Sequence, residues 1–370
     1  MEQKRTVVYP YSALSVADIQ RNLISSDLYQ FTSLVAPRGL ALDGKDAGYA
    51  DNRKNIGIFV SSDLINALKN TDALFVPSGK RNDRAFWGIF EHMCTAANMG
   101  KDIISCIQLT DIEEYKLSNE CKIKGSSFIN VQSDTLEWKD SSFPVTHDTA
   151  IPVIFVSGLL SETNEQEIVY ILADRFKRDG LNVTAVGFRP EMNFFGFHNS
   201  EVITELINGR FYGGSVQETV CALNYYFYNL EMKEQTDIFI VHIPGALIET
   251  PDYPNDCGIF AHIISSAIKP SAIIAGSLYA RYTENTMLQM HNEFLTRFGC
   301  ELSALHISNK TLVHNSSVQK RKLESLYRPY DDVINIVNQM TSEGLRVFNI
   351  NDLALCESVY QQLLQDIWED

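Results

Sequence analysis

The sequence predicts an α/β protein made of two parallel-sheet domains, each with three layers. Short apolar runs alternate with segments of helical periodicity along most of the 370 residues. This alternation is typical of parallel sheets, because each crossover between parallel strands usually contains a helix. A polar stretch of weak periodicity interrupts the alternation once, near residue 130, so we predict two domains rather than one.

Residues 1–110 are predicted to form a Rossmann-like domain. The apolar runs that predict its strands lie at residues 6–9, 31–36, 56–60, 73–77 and 102–109. Helical spacing predicts helices at residues 16–28, 63–69 and 86–99, the last ending at Gly100. The G-x-G-x-x-G fingerprint of dinucleotide-binding domains is absent from this half.

Residues 111–150 are predicted to connect the domains, with an edge strand at residues 127–131. Residues 151–328 are predicted to form the second α/β domain, and residues 329–370 a helical tail. Strands of the second domain are predicted at residues 153–156, 182–187, 237–245, 272–275 and 304–308. Helices are predicted at residues 168–176, 216–230, 259–268 and 283–298, and in the tail at 333–340 and 352–368.

The second domain begins with the strand–loop–helix outline of a phosphate-binding loop, but without its chemistry. Gly158 ends the strand, and Thr163, Asn164 and Glu165 stand where Gly, Lys and Ser/Thr are needed. His242 stands where a later strand would carry a magnesium-organising aspartate, before a loop containing Gly245. Phosphoryl transfer depends on neutralising charge, so we predict a degenerate P-loop domain that does not hydrolyse nucleotide.

Two polar loops of the first domain and several positions of the second are the candidate ligand-binding sites. Residues 43–51 hold more charged and glycine residues than a turn requires, and residues 77–83 directly follow a predicted strand, although both could be simple turns. His198 and His242 could converge as an acid–base or metal-binding pair, or be two unrelated loop histidines. The candidates are Asp43, Gly44, Lys45, Asp46, Gly48, Asp51, Ser78, Gly79, Lys80, Gly158, Ser161, Thr163, Asn164, His198, His242 and Gly245.

Composition limits the classes of partner. The net charge of −15 argues against nucleic acid and anionic membranes, and is compatible with a basic peptide. The chain has no apolar run long enough to span a membrane and no signal-peptide core, so we expect a cytoplasmic protein. Its seven cysteines form no C-x-x-C pair, and we expect reduced thiols. No metal, cofactor or catalytic residue is predicted.

Four segments together resemble a known family: residues 43–48, 152–158, 194–198 and 243–245. They are similar to peptide maturation system proteins, which are encoded beside bacteriocin-like precursor peptides and radical SAM enzymes. More distantly, the layout resembles proteins that join a Rossmann-like half to a dethiobiotin-synthetase-like P-loop half. The resemblance covers about residues 6–330. It implies a cytoplasmic accessory factor whose partners are a precursor peptide or its modifying enzymes, and it implies no reaction.

Three functions remain open from the sequence. The first is a non-hydrolysing, P-loop-like scaffold that binds peptide or partner enzymes during maturation of a ribosomally synthesised, modified peptide. The second is an enzyme that uses a nucleotide to activate or ligate a small carboxylate, with its site between the domains and Lys45 or Lys80 contacting phosphate. The third is a small-ligand-binding protein with its site in the cleft between the domains. The oligomeric state is not predicted.

Overall fold

A computed structural model describes residues 3–24, 28–81, 83–136, 147–250 and 253–368 of the chain. Some predicted features extend beyond these ranges. Residues 25–27 of the first predicted helix, Asn82 of the loop 77–83 and residues 137–146 of the predicted connection lie outside the described residues.

The chain divides into two compact units. Unit 1 comprises Met1–Ser133 together with Arg189–Gly196, and unit 2 comprises Asp134–Phe188 and Phe197–Asp370. Arg189–Gly196 therefore lies within the sequence of the second half but packs as a part of unit 1. The aromatic run that starts at Phe194 is split by this division, because Phe197 belongs to unit 2.

Unit 1 is built on a six-stranded parallel sheet in the order β3-β2-β1-β4-β5-β6. Its strands are β1 (Lys4–Val8), β2 (Tyr29–Val35), β3 (Val60–Ser61), β4 (Ala73–Val76), β5 (Asp102–Ser105) and β6 (Phe128–Asn130). Its first four helices are α1 (Val16–Ile24), α2 (Leu64–Lys69), α3 (Ile89–Asn98) and α4 (Asp111–Lys124). The strand order reverses between β1 and β4, as in Rossmann-like sheets, where ligands bind at the carboxyl ends of the strands.

Both faces of this sheet are buried, which makes unit 1 a three-layer structure. Along β4, Leu74 and Val76 belong to one apolar cluster, whereas Ala73 and Phe75 belong to the cluster on the other face. This alternation follows from the period of two residues in a strand. It explains why all four residues of β4 are buried and why the sequence there is a continuous apolar run.

Two parts of unit 1 differ from the sequence prediction. The predicted connection contains α4, which begins with a capping box formed by Thr110 and Glu113, and β6, which pairs with β5. The strand predicted at residues 56–60 is reduced to β3, which starts at Val60. The backbone amides of Ile56 and Gly57 instead donate hydrogen bonds to the Asp46 carboxylate, so this segment follows the preceding loop.

Unit 2 is built on a seven-stranded parallel sheet in the order β15-β12-β11-β7-β10-β8-β9. The elements up to the centre of the unit are β7 (Val153–Gly158), α5 (Glu165–Arg178), β8 (Val183–Gly187), β9 (His198–Asn199), α7 (Glu201–Ile207), α8 (Val216–Glu234) and β10 (Ile238–Ala246). The short helix α6 (Glu191–Phe194) lies between β8 and β9 in sequence and belongs to unit 1. The strand of the phosphate-loop outline, β7, is central, and β10 is hydrogen-bonded to it.

The remaining elements of unit 2 complete its sheet and cover it. They are α9 (Ile259–Ala267), β11 (Ala272–Ser277), α10 (Glu284–Phe298), β12 (Leu302–Ile307), β13 (Lys310–Leu312), α11 (His314–Lys320), β14 (Ser325–Tyr327), α12 (Tyr330–Ser342), β15 (Val347–Phe348) and α13 (Leu353–Trp368). Strands β13 and β14 form a separate antiparallel pair. The predicted tail supplies the edge strand β15 and two covering helices, because Val333 and Val337 of α12 and Tyr360 of α13 are buried.

The two parallel sheets with helices on their faces confirm the predicted fold class. No helix in the described part of the chain is long and apolar enough to cross a membrane.

Candidate functional site

The loop between β7 and α5 is closed by a carboxylate of the chain itself. Glu165, the first residue of α5, is 8% exposed. Its Oε2 accepts a hydrogen bond from the Thr163 amide at 2.9 Å, and its Oε1 accepts one from Thr163 Oγ1 at 3.0 Å. A Cβ on Gly158 would lie 2.4 Å from Glu165 Oε1, so the carboxylate lies against the end of β7. In a phosphate-binding loop the phosphate takes this position at the helix N-terminus.

The Glu165 carboxylate is buried, and one lysine from a distant part of unit 2 contributes to its environment. Burial raises the pKa of Glu165, and the backbone hydrogen bond from Thr163 and the charge of Lys310 oppose this rise. Lys310, on β13, donates from Nζ to the carbonyl oxygen of Glu162 at 2.7 Å and lies 3.6 Å from Glu162 Oε2. The φ angle of Glu162 is +66°, a conformation that non-glycine residues rarely adopt, and the Lys310 hydrogen bond stabilises it.

The other predicted residues of this loop are part of its packing. Thr163 is buried against β11, where a Cβ on Gly276 would lie 2.3 Å from Thr163 Oγ1. Asn164 has a φ of +71° and directs its side-chain amide to Glu167 Oε2 at 3.5 Å. Ser161 is partly exposed. The structure thus brings Gly158, Thr163 and Asn164 together around the Glu165 carboxylate.

The backbone at the end of β10 donates to a second carboxylate, which lies ten residues beyond the strand. Asp256 accepts hydrogen bonds from the amide of Ala246 at 3.0 and 3.1 Å. Burial raises the pKa of Asp256 above its usual value. Hydrogen bonds from the backbone amides of Ala246 and Gly258 oppose this rise but do not cancel it. Gly245 is required here, because its φ is +83° and a Cβ would lie 2.2 Å from Asp256 Oδ2.

His198 lies between two carboxylates at the edge of the unit 2 sheet. Its Nδ1 is 3.0 Å from Asp134 Oδ2, and its Nε2 is 2.7 Å from Glu234 Oε1. Burial lowers the pKa of His198, but the hydrogen bond to Asp134 and the charge of Glu234 together outweigh burial and raise it. Tyr226 also donates to Asp134 Oδ2, at 3.1 Å. The imidazolium form is therefore favoured, and both ring nitrogens are occupied by the protein.

Of the two alternatives for His198 and His242, the structure favours two unrelated histidines, because it does not bring them together. In the sheet register, His198 is aligned with Val186, and Val186 is aligned with Val241. Aligned residues of parallel strands share a face, so His242, the next residue after Val241, points to the opposite face. His242 is instead buried beside the ring of Phe188, with 4.4 Å between the ring centroids.

The loop 43–51 of unit 1 uses its acidic residues to fold. The Asp46 carboxylate accepts hydrogen bonds from the amides of Gly48, Ile56 and Gly57, each at 2.8 Å. Gly48 is required at its position, because a Cβ would lie 2.3 Å from the carbonyl oxygen of Lys54. These contacts explain the presence of Asp46 and Gly48 by the folding of the loop itself.

The remaining side chains of this loop are either paired or exposed. Asp51 and Arg53 form a buried ion pair with an oxygen–nitrogen distance of 2.6 Å and side chains that are 4% and 2% exposed. Lys45 places its ammonium 3.6 Å from the centroid of the Tyr49 ring, a cation–π contact. Asp43 and Gly44 are exposed, and Gly44 has a φ of +72°.

The loop after β4 also meets an acidic side chain of the chain itself. The Ser78 amide donates to Glu191 Oε1 at 2.5 Å, and Glu191, on α6, is fully buried. The guanidinium of Arg189 lies 3.4 Å from the same oxygen. Gly79 packs against Phe86, since a Cβ would lie 2.2 Å from the ring, and Lys80 is exposed.

Three carboxylates that the sequence did not identify as site residues thus bind backbone amides after strands of the two sheets: Glu165, Glu191 and Asp256. From the sequence, Glu165 was interpreted only as a negative charge that would repel polyphosphate. The available signal was its position at the start of a helix, where acidic residues are common. Glu191 gives no local signal, because its partner Ser78 is 113 residues away. Among the described residues, no group of three or more histidine, cysteine or acidic side chains could hold a metal ion.

Comparison with known proteins found similarity at the level of the fold. A scan against protein families and a search of curated proteins each found no match. The chain is similar in fold to a DUF1611 family protein from Anabaena variabilis, with 7% identity, a TM-score of 0.60 and coverage of 100% of both chains. It also aligns with a plasmid partition protein from Borrelia burgdorferi, with 11% identity, a TM-score of 0.34 and coverage of 59% of this chain and 100% of that one.

Proposed function

We propose that this protein is a non-hydrolysing α/β scaffold that binds a peptide or a partner enzyme during maturation of a ribosomally synthesised, modified peptide. The observation that carries the first part of this proposal is the position of Glu165. Its carboxylate takes the hydrogen bonds of Thr163 at the helix N-terminus where a phosphate would otherwise bind.

The negative charge of the loop between β7 and α5 also opposes the binding of a nucleotide. A γ-phosphate in this loop would have to displace the buried Glu165 carboxylate, with Glu162 and Glu167 close by in the same segment. Phosphoryl transfer depends on positioning and on neutralising the charge that develops on the phosphate oxygens. The loop offers the opposite charge pattern, so its strand–loop–helix unit serves as architecture.

The peptide part of the proposal rests on the resemblance in sequence and on charge. Four segments of the chain resemble peptide maturation system proteins, and the net charge of −15 favours a basic peptide over an acidic one. The partner would be the precursor peptide or one of its modifying enzymes.

Lys310 favours a second candidate, an enzyme that uses a nucleotide to activate a small carboxylate. Its ammonium lies at the loop, 2.7 Å from the Glu162 carbonyl oxygen, and could contact phosphate if Glu165 were protonated or moved. In that case a lysine from β13 would replace the lysine that the loop itself lacks.

Incubation with ATP and Mg²⁺ distinguishes the two candidates. For the scaffold we expect no phosphate release above a no-protein control and no thermal shift with ATP. Phosphate release that is lost in Lys310→Ala, Lys45→Ala or Lys80→Ala, and retained in the control Lys69→Ala at an exposed position on α2, would contradict the scaffold. Binding is then measured with the precursor peptide and a scrambled peptide of the same composition, and equal affinity for the two would contradict specific recognition.

A further inference from the structure

A groove with a volume of about 360 Å³ lies in unit 1, between the edge of strand β2, the segment before β3 and helix α2. Small-molecule sites in proteins usually have volumes of about 300–1,000 Å³. The function proposed above does not involve this groove, and none of the candidate residues predicted from the sequence lines it.

The groove exists because the segment before β3 follows the preceding loop rather than β2. The Asp46 carboxylate binds the backbone amides of residues 56–57, so β3 starts only at Val60 and pairs with just the last two residues of β2. In the described part of the chain, no strand pairs with Thr32 or Ser33 on this side of β2. These two residues therefore form an open wall.

A bulge in β2 leaves two hydroxyl side chains for this wall. Two successive residues of β1 align with Phe31 and Ser33, so Thr32 is an extra residue in the ladder. A strand without the bulge would place Phe31 and Leu34, which are three residues apart, on opposite faces, whereas both belong to one apolar cluster. Thr32 and Ser33 stay outside this cluster and line the groove.

The polar side chains of the groove keep hydrogen-bonding capacity that the protein does not use. Within the ranges that the structure describes, the Thr32 and Ser33 hydroxyls and the Asn66 side-chain amide make no hydrogen bond to the protein. Ser61 Oγ accepts one backbone amide at 3.0 Å and can still donate its proton. Asn70 donates to the carbonyl oxygen of Asn66 at 3.0 Å and keeps its own side-chain oxygen as an acceptor.

The groove also combines an aromatic ring with an absence of charge. Phe59 is its largest apolar side chain and is 70% exposed, and no charged side chain is among the described lining residues. Unit 1 as a whole contains equal numbers of acidic and basic residues, so the net charge of −15 arises in unit 2. A charged ligand would find no opposite charge in the groove, and a wholly apolar one would leave the hydroxyl and amide groups without partners.

From this combination we infer that the groove binds a neutral saccharide. Sugar hydroxyls both donate and accept hydrogen bonds, so they match a set of hydroxyl and amide side chains. The C–H groups of a sugar ring carry a slight positive charge and pack against the negative face of an aromatic ring such as Phe59. An extended peptide offers similar hydrogen bonds, but the basic peptide expected from the net charge would gain nothing from the balanced charge of unit 1.

The test measures binding of glucose, galactose, mannose and N-acetylglucosamine to the full chain by ligand-observed NMR titration. We expect at least one of these sugars to bind, and cyclohexanol to bind at least about tenfold more weakly, because it lacks the additional ring hydroxyls. Asn66→Ala should weaken sugar binding by about three- to tenfold, the effect of losing one hydrogen bond. Asn119→Ala, at an exposed position on α4, should leave the affinity unchanged.

A second variant removes the aromatic contact. Phe59→Ala should weaken sugar binding by at least about threefold, whereas Tyr115→Ala, at a side chain of α4 that is 75% exposed, should not. No binding of any of these sugars, equal binding of sugar and cyclohexanol, or wild-type affinity in a folded Asn66→Ala or Phe59→Ala protein would overturn the inference. Tighter binding of acetyl-trialanine amide than of every sugar would also overturn it, and would indicate a peptide.

Discussion

Replacing Glu165 by alanine removes the carboxylate that closes the loop between β7 and α5. The buried Thr163 amide, which donates to Glu165 at 2.9 Å, loses its acceptor. The Thr163 hydroxyl loses its 3.0 Å bond to Glu165 but keeps the carbonyl oxygen of Leu160, at 3.4 Å, as an acceptor. The N-terminus of α5 also loses the negative charge that interacts favourably with the helix dipole. The variant therefore has an empty anion position, which makes the proposed role of Glu165 measurable.

The size of the effect follows from these contacts. Leaving the buried amide unsatisfied costs about 1–3 kcal/mol, and the lost hydrogen bond of the hydroxyl adds about 0.5–1.5 kcal/mol, which predicts a loss of about 1.5–4.5 kcal/mol in the free energy of unfolding. Burial raises the pKa of Glu165, which means that the wild-type chain bears a cost for ionising this group at neutral pH. Removing the Glu165 carboxylate also removes this cost, which offsets part of the lost stability. We therefore expect Glu165→Ala to lower the free energy of unfolding by about 2–3 kcal/mol at pH 7.

Urea unfolding in chloride, sulfate and phosphate at constant ionic strength measures both the loss and its reversal. An anion that binds only the folded state at a hundred times its dissociation constant adds about 2.7 kcal/mol. We expect phosphate or sulfate to stabilise Glu165→Ala by this order of magnitude beyond any change in wild type. In wild type the anion position is already occupied by the carboxylate.

Glu162→Ala is the matched control, because it removes a negative charge from the same loop at a side chain that is 62% exposed. It should show neither the loss of stability nor the added response to anions. If phosphate stabilises wild type and Glu165→Ala equally, or if Glu165→Ala loses less than about 1 kcal/mol, the carboxylate does not occupy an anion site.

Two further predictions concern charged groups outside that loop. Burial lowers the pKa of His198, but its two carboxylate partners outweigh burial and raise it. The stability that His198 contributes is therefore fully present below the unfolded-state pKa of about 6.5, and it is lost as pH rises through the folded-state pKa. His198→Asn should remove this part of the pH dependence in urea unfolding between pH 6 and 9. Asp51→Asn leaves Arg53 buried without its ionised partner and should cost about 3–5 kcal/mol in urea unfolding, whereas Asp43→Asn, at an exposed position of the same loop, should change stability little.

Much of the fold was predictable because parallel strands buried on both faces leave a continuous apolar signature. The runs at residues 73–77 and 153–156 correspond to β4 and β7, with boundaries that differ by one or two residues. The same signature is weak in short edge strands such as β3, where Val60 and Ser61 alone pair with β2. The start of that strand depends on Asp46, whose carboxylate binds the amides of the preceding residues.

The candidate site was less predictable, because the type of a residue does not determine its hydrogen-bond or ion-pair partner in the folded chain. The acidic loop 43–51 suggested ligand chemistry, yet Asp46 and Asp51 bind groups of their own loop. His198 and His242 both lie in strands of one sheet, and only the register shows that they face opposite sides. Lys310 and Glu191 were not identified, because each reaches its loop from more than a hundred residues away.

By itself, the sequence determined the alternation of strands and helices, the parallel character of both sheets and the loss of the residues that a phosphate-binding loop requires. Those properties are local, since they follow from periodicity and from residue type at fixed spacing. The tertiary structure decided what takes the place of the missing ligand. A buried carboxylate must find hydrogen-bond donors within about 3 Å, and only the folded loop places Glu165 against Thr163 and Gly158.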